Sequence, residues 1–269
     1  MKNYYYPEKN YYYLAIVLPK LSIDEKPEMP FYEFAELLKE NLTPTDYDKT
    51  RRMRWLFDLR NIRAFWLHHP LDYWGNLNEV QLEDALLTRE DTELPSYFFD
   101  FLDEHDTKES RLKLFPKIMS KYFASEAETG STGFLKALRT LERNLILIIT
   151  AYRARMLNRD LEQEFQFEDP EDELVIQLLA KKDSKDFEAP EGFEGIKLLL
   201  DQNYSHPIQM QKAIIEYVFN WIEDALEFDY FSINRILGYM AQYILIERLM
   251  RLDKEKGLNV LNNIVREVS

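Results

Sequence analysis

The sequence predicts an all-α fold, a multi-helix bundle, on three observations. Glycine is scarce, 7 in 269 residues, which leaves few sites for tight hairpin turns. No segment sustains the period-two alternation of a half-buried strand. Several segments instead repeat apolar residues at helical spacing between recognisable start and stop residues.

Taken in order, Tyr11–Leu18 has the composition to extend, but a lone strand would lack a partner. Pro30 opens a short helix, Phe31–Glu40, with Phe31, Phe34, Leu37 and Leu38 on one side. Thr43-Pro44-Thr45-Asp46 is a start signal: Thr43 caps, Pro44 fits the first turn, and Asp46 favours the positive end. That helix carries Met53, Leu56, Phe57 and Phe65, and is stopped at His69 by Pro70. A loop, Leu71–Asn78, leads to helices Val80–Leu87 and Pro95–His105, the second rich in aromatics. Thr107–Glu126 is helical with a kink or break expected at Pro116.

Phe134–Asn158 has the cleanest period: Phe134, Leu138, Leu141, Leu145, Ile148, Ile149, Tyr152 and Met156 form one stripe. Around Leu145–Ile149 it is apolar almost all round, so its middle is expected at the centre of a bundle. Glu162–Glu173 holds seven acidic residues and no basic one, and reads as a linker ending in a capped start at Asp169–Asp172. Helix Glu171–Lys181, polar loop Asp183–Glu194 and short helix Ile196–Gln202 follow. Pro207–Phe228 is a long amphipathic helix, and Ser232 caps the next, which runs to Lys256. Gly257 is expected to end it, with Leu258–Val268 forming a last helix. Asn61, Asn144 and Asn234 each lie inside an apolar helical stretch, each with an arginine beside it. A single domain, 1–269, built of three similar units (1–90, 91–170 and 171–269) fits that spacing.

Lys plus Arg is 34 and Asp plus Glu is 48, so the net charge is 34 − 48 = −14. Such a surface repels phosphate backbones and anionic lipid heads, which argues against nucleic-acid binding. The absence of cysteine excludes disulfides, zinc–thiolate sites, iron–sulfur clusters and thiol nucleophiles, and suits the cytoplasm. Leu14–Leu18 is too short for a signal-peptide core. Leu145–Ala151 falls far short of the ~20 residues of a membrane span. Any work at a membrane is then expected to go through another protein.

The seven glycines never fall in GxGxxG or GxxxxGK spacing. His68-His69 invites a metal, with Asp72 four residues on, but Pro70 interrupts the helix and further ligands are lacking. Glu168–Asp172 resembles the aspartate-rich magnesium motif of all-helical isoprenoid enzymes, yet Pro170 places it at a helix start, where it reads as linker and cap. No GxSxG occurs, and His105 and His206 stand at helix boundaries. No catalytic residue, metal ligand or cofactor is therefore assigned. Three basic sets remain: Lys108–Lys121; Arg153, Arg155 and Arg159; Arg248, Arg251, Lys254 and Lys256. Each can dock an acidic partner or simply face solvent near a helix carboxyl end. Tyr4–Tyr6 and Tyr11–Tyr13 have the area and polar tips of interface residues, or pack an amino-terminal arm onto the bundle.

Asn10–Asp24 (NYYYLAIVLPKLSID) resembles the opening of a bacterial family whose members accompany V-type ATP synthase subunits in operons. That family looks like the bacterial counterpart of the helical central-stalk subunit of V-type ATP synthases. Arg52–Asn61 followed by Ile62-Arg63-Ala64-Phe65, Thr150–Arg155, and Ile236–Gly257 resemble the repeated, middle and closing helices of that stalk protein. Leu161–Asn203 has no counterpart in the resemblance. The resemblance implies a funnel of three similar helical units, seated on the cytoplasmic rim of the membrane rotor ring and receiving the axle subunits in its socket. It brings no catalytic residue, cofactor, metal or small-molecule substrate. The expectation is a non-enzymatic rotor subunit of a V-type ATP synthase, cytoplasmic and peripheral to the inner membrane through protein partners. Arg153, Arg155, Arg248 and Arg251 are its expected contact residues. Two rival readings stay open: a cytosolic helical adaptor or scaffold, and an all-α enzyme with an unrecognised site.

Overall fold

The computed structural model describes residues 9–89, 94–129, 133–184 and 186–268, so tyrosines 4–6 lie outside the described residues, as do the side chains of Lys254 and Lys256. The described chain is all-α: α1 (Tyr12–Val17), α2 (Phe31–Asn41), α3 (Pro44–Leu67), α4 (Glu79–Thr88), α5 (Ser96–Glu104), α6 (Lys108–Lys113), α7 (Phe115–Thr129), α8 (Gly133–Met156), α9 (Leu161–Glu164), α10 (Glu173–Ala180), α11 (Glu194–Asn203), α12 (Pro207–Ala225) and α13 (Ile233–Val268). No strand occurs among the described residues. The chain divides into two compact units, Met1–Asp46 with Gly195–Ser269, and Tyr47–Glu194.

In the first unit, α2 lays Phe34 against Tyr239 and Tyr243 of α13, with ring centroids 5.2 and 5.7 Å apart, and Phe31 packs on Tyr243 at 5.5 Å. The buried Tyr243 hydroxyl donates to the Met29 carbonyl at 2.8 Å, so the polar tip of this aromatic stack is satisfied. Ile215, Val218, Phe219 and Ile222 of α12 are buried, as are Ile236, Met240 and Ile244 of α13. Ser232 caps as expected: its Oγ accepts from the Asn234 N–H at 3.0 Å and donates to Asp229 at 2.5 Å. Tyr11–Leu18, which would have no strand partner, winds into α1 over Tyr12–Val17. One expectation is corrected here. Gly257 does not end a helix: α13 runs unbroken to Val268, the glycine interrupting a pattern that keeps its 3.6 period on either side.

The second unit grows from α3. One side supplies Leu56, Leu59, Ile62 and Trp66 to a core shared with Leu82 and Ala85 of α4, Phe98, Phe101 and Leu102 of α5, and Phe115, Ile118, Tyr122 and Phe123 of α7. Another carries Arg54, Asp58 and Asn61, spaced i, i+4, i+7 and hence stacked on one face. These three hold the loop between α3 and α4. Arg54 Nε donates to the Trp74 carbonyl at 2.8 Å and its other nitrogen to Gly75. Asp58 accepts from the Asn76 N–H at 2.6 Å, the Leu77 N–H at 3.1 Å and the Asn76 side chain at 2.7 Å. Asn61 exchanges a pair of 2.7 Å bonds with the Asp72 backbone. Trp74 is thereby pinned in the interior, edge-on to Phe57 at 5.6 Å.

α3 ends at Leu67, before Pro70 is reached. His68 takes a left-handed turn (φ 57°), and its N–H and that of His69 donate back to Phe65 and Ala64. Pro116 breaks the helix at Leu114, between α6 and α7, as expected. On α8 the stripe is buried at Phe134, Leu138, Leu141, Leu145, Ile148 and Tyr152, while Met156 is partly exposed. Ile146 is also exposed, so the middle of α8 is not enclosed all round. The acidic stretch is not a linker. Leu161 and Phe165 are buried, Arg143 pairs with Glu168 at 3.1 Å and Asp172 at 2.8 Å, and Ser120 Oγ donates to the Phe167 carbonyl at 2.8 Å. Asp172 also caps α10, as the start signal implies. The polar loop after α10 sends Phe187 edge-on against Tyr152 at 5.4 Å.

Gly75 has no room for a side chain: a Cβ there would meet Asp58 Oδ1 at 2.6 Å and Asn61 Nδ2 at 2.8 Å. Gly75→Ala should therefore cost roughly 2–3 kcal/mol in a denaturant titration, against the small gain that losing a glycine usually brings. Burial lifts the Asp58 carboxyl from 3.8 to about 6, despite the opposing pull of its three donors and Arg54. A carboxyl raised on folding stabilises below its unfolded value and loses that contribution as pH rises through its folded one. The unfolding free energy of the wild type minus that of Asp58→Asn should thus fall by about 2 kcal/mol between pH 4 and pH 7. A flat difference would show that Asp58 is not desolvated.

Candidate functional site

α1 has no polar face. Its six residues, YYLAIV, bury Leu14 and leave Tyr12, Tyr13 and Ile16 at 55%, 58% and 82% exposure. A helix that is apolar all round is normally buried, so α1 is one-sidedly unpartnered. What holds it is Tyr11. That residue is buried, its N–H donates to the Phe231 carbonyl at 2.7 Å, and its hydroxyl donates to Asp46 at 2.5 Å beside the Thr43 cap of α3. Burial, and then the Asp46 carboxylate, hold the Tyr11 hydroxyl above its ordinary range, so it stays a donor. The tyrosine run thus splits in function: Tyr11 is an anchor, and Tyr12 and Tyr13 are surface.

The turn between α12 and α13 extends that surface. Tyr12 packs at a tilt on Phe231 with centroids 4.7 Å apart, Tyr230 follows at 6.2 Å from Phe231, and Phe228 is 82% exposed. A groove of about 470 Å³ runs beside it, lined by Leu18, Pro19 and Leu21 on one side and Phe219, Ile236 and Tyr239 on the other. Its polar rim is closed within the protein: Glu223 accepts from Gln242 at 2.5 Å and faces Arg235 at 3.8 Å. The result is an aromatic edge of α1 and the α12–α13 turn, fixed by backbone bonds and open to a partner. Sequence reasoning misses Phe228, Tyr230 and Phe231; three aromatics within four residues of the inter-helix turn are the signal that could have found them.

The expected contact arginines are placed separately. Arg153 is exposed on α8, while Arg155 turns inward and donates to the Lys182 carbonyl at 3.2 Å and to that of Ser184, tying down the end of α10. Arg248 and Arg251 stand half-buried on α13. Arg153 and Arg155 belong to one compact unit and Arg248 and Arg251 to the other.

Groups with the types of a reactive site are tied up structurally. A cleft of about 340 Å³ brings Glu126, Glu168, Asp169 and Asp172 together with Lys136, Arg139 and Arg143. Arg143 bridges two of these acids, Asp169 accepts from the Glu171 N–H at 2.9 Å, and Asp172 caps α10. Arg139, buried on α8, donates to Glu142 and to the Met53 carbonyl. Burial lowers its pKa, but Glu142 outweighs this and holds it above the ordinary value. His68 and His69 close α3 and stand apart from any acid cluster. Among the described residues no group of three or more His, Asp or Glu is arranged to hold a metal ion. No described helix is long and apolar enough to cross a membrane.

A family model described as "Protein of unknown function (DUF2764)" matches residues 8–269. The chain belongs to the DUF2764 family. An uncharacterized protein of Chlamydia pneumoniae is 28% identical over 262 residues, covering 96% of this chain and 98% of its own. Uncharacterized proteins of Chlamydia muridarum and Chlamydia trachomatis are 25% and 24% identical, covering 94% and 93% of this chain and 96% of each relative. No solved structure matches the chain. The family match begins just before the aromatic edge and takes in both compact units.

Anchor and surface should separate in stability measurements. Tyr11→Phe should lower the unfolding free energy by about 1 kcal/mol, whereas Phe228→Ala should leave it within about 0.5 kcal/mol. Thermal and urea denaturation of the two variants beside the wild type give the comparison.

Proposed function

We propose that this DUF2764 chain is a non-catalytic central-stalk subunit of a V-type ATP synthase, linking the membrane rotor ring to the axle. The observation that carries the reading is the aromatic edge of α1 and the α12–α13 turn, apolar, exposed and held rigid by Tyr11. Its α1 part lies in Asn10–Asp24, the segment whose sequence resembles the opening of the stalk-associated family. Support also comes from the way the buried polar groups are used: Arg54, Asp58, Asn61, Arg139 and Arg143 all fasten helices and loops. A part that transmits torque needs stiff packed helices and contact surfaces, and neither metal nor nucleotide.

On this reading the protein works in the cytoplasm, peripheral to the inner membrane, and meets lipid only through its partners. Arg153 on α8, with Arg248 and Arg251 on α13, supplies cationic contacts to acidic axle or ring surfaces, and Arg155 braces the end of α10 beneath such a contact. The aromatic edge also fits a helical adaptor serving a different assembly.

Affinity capture of the native protein from detergent-solubilised membranes separates the two. The catalytic subunits of a V-type ATP synthase should be recovered with it, and Arg153→Glu should reduce that recovery several-fold. Their clean absence, with the complex itself intact in the extract, would leave the adaptor reading in its place.

A further inference from the structure

A second surface, in the Tyr47–Glu194 unit, has a charge opposite to that of the molecule. α3 and the α6–α7 junction enclose an open groove of about 590 Å³, lined by Arg60, Arg63, Leu112, Lys113, Phe115, Pro116 and Met119. Three cations and four apolar residues line it, with no acid, in a chain of net charge −14. Arg60 feels the attraction of Glu142 and, less strongly, Asp72, without a direct ion pair to either. Arg60 and Arg63 rest on aromatic faces, over Phe57 at 5.7 Å and over Phe115 at 5.8 Å, and neither guanidinium has an ion pair with a described carboxylate. Lys113 is exposed at the end of α6 and likewise has no such pair. By contrast Lys117, one turn further on, is paired with Glu104 at 2.6 Å.

We propose that this groove binds an acidic, apolar-flanked segment of a partner protein, whose carboxylates meet Arg60, Arg63 and Lys113 and whose apolar side chains lie on Leu112, Phe115 and Met119. Charge complementarity selects the occupant. A nucleic acid or an anionic membrane brings extended negative charge, which the remainder of a −14 surface repels. A short segment with two or three carboxylates meets only the groove. Burial lowers the Arg60 guanidinium from its ordinary value despite the opposing pull of Glu142 and Asp72, so a further carboxylate beside it would relieve a desolvated charge. Two stacked arginines present flat forks suited to carboxylates, which a lysine pair would not. The inference shares with the stalk reading the premise that the protein works by contact, and it holds for whichever assembly the protein serves.

The test uses the purified full-length chain and two synthetic peptides with the same leucines, one carrying glutamates and the other lysines, followed by fluorescence anisotropy. The whole-molecule charge favours the lysine peptide, so preference for the glutamate peptide reports the groove. Arg63→Glu with Lys113→Glu should weaken the glutamate peptide roughly tenfold or more, and added salt should weaken it too. Both substituted residues are surface cations, and a thermal melt checks that the fold is kept. A glutamate peptide with serines for leucines should bind less tightly. Equal binding of both charged peptides, or unchanged affinity in the double variant, would overturn the proposal. So would a short RNA displacing the peptide as well as the peptide displaces itself, or a glutamate-dependent effect that the serine version reproduces in full. Failure to recover V-type subunits in the capture experiment would leave this result untouched, and failure here would leave that one untouched.

Discussion

Three polar side chains on one face of α3 hold the Tyr47–Glu194 unit to a single arrangement. Arg54, Asp58 and Asn61 take the place that apolar residues hold elsewhere on a buried helix, and they satisfy the backbone of residues 72–77, which has no secondary structure of its own. An unpaired buried amide costs about 1–3 kcal/mol, so a loop that passes inside the protein must find partners or stay at the surface. Here the partners come from a helix that simultaneously packs its other side on α4, α5 and α7. The loop in turn buries Trp74 against Phe57. Gly75 is the condition for this closeness, since nothing larger fits between Asp58 and Asn61.

The same economy governs the rest of the charged interior. Arg143 gathers Glu168 and Asp172, Arg139 reaches Glu142 and the α3 backbone, and Arg155 closes the end of α10. These three arginines and their acids are thus committed to holding helices and loops together. Two surface features stand out among the described residues: an aromatic edge on the first unit, and a cationic groove on the second. The supports of the aromatic edge include the buried Tyr11.

Much of the helical framework is legible in the sequence because its boundaries rest on local chemistry. Thr43, Ser232 and Asp172 cap where they stand, and Pro116 breaks a helix wherever it falls. The α3 clasp is not legible, because Arg54, Asp58 and Asn61 look like a solvated stripe until residues 72–77 are brought over them. Only the scarce glycine at 75 and the asparagine inside an apolar stretch hint at it. The acidic run 162–173 misleads for the same reason: its neutralising partner, Arg143, lies about twenty-five residues away. α1 is helical despite its aromatic and β-branched residues, because these favour strands only where a sheet exists to receive them. The aromatic edge is half visible. The tyrosines stand out in the sequence, but separating Tyr11 the anchor from Tyr12 the surface takes the position of Asp46 and Phe231 in space.

Hydrogen exchange on the full chain, alone and within the V-type complex proposed as its assembly, compares the two roles in one experiment. The Asn76 and Leu77 amides, held by Asp58, should exchange slowly in both states, while residues 12–17 and 226–232 should gain protection only in the complex. Unchanged exchange at 226–232 together with altered exchange at 72–77 would contradict the division between a fixed polar interior and a contacting aromatic edge.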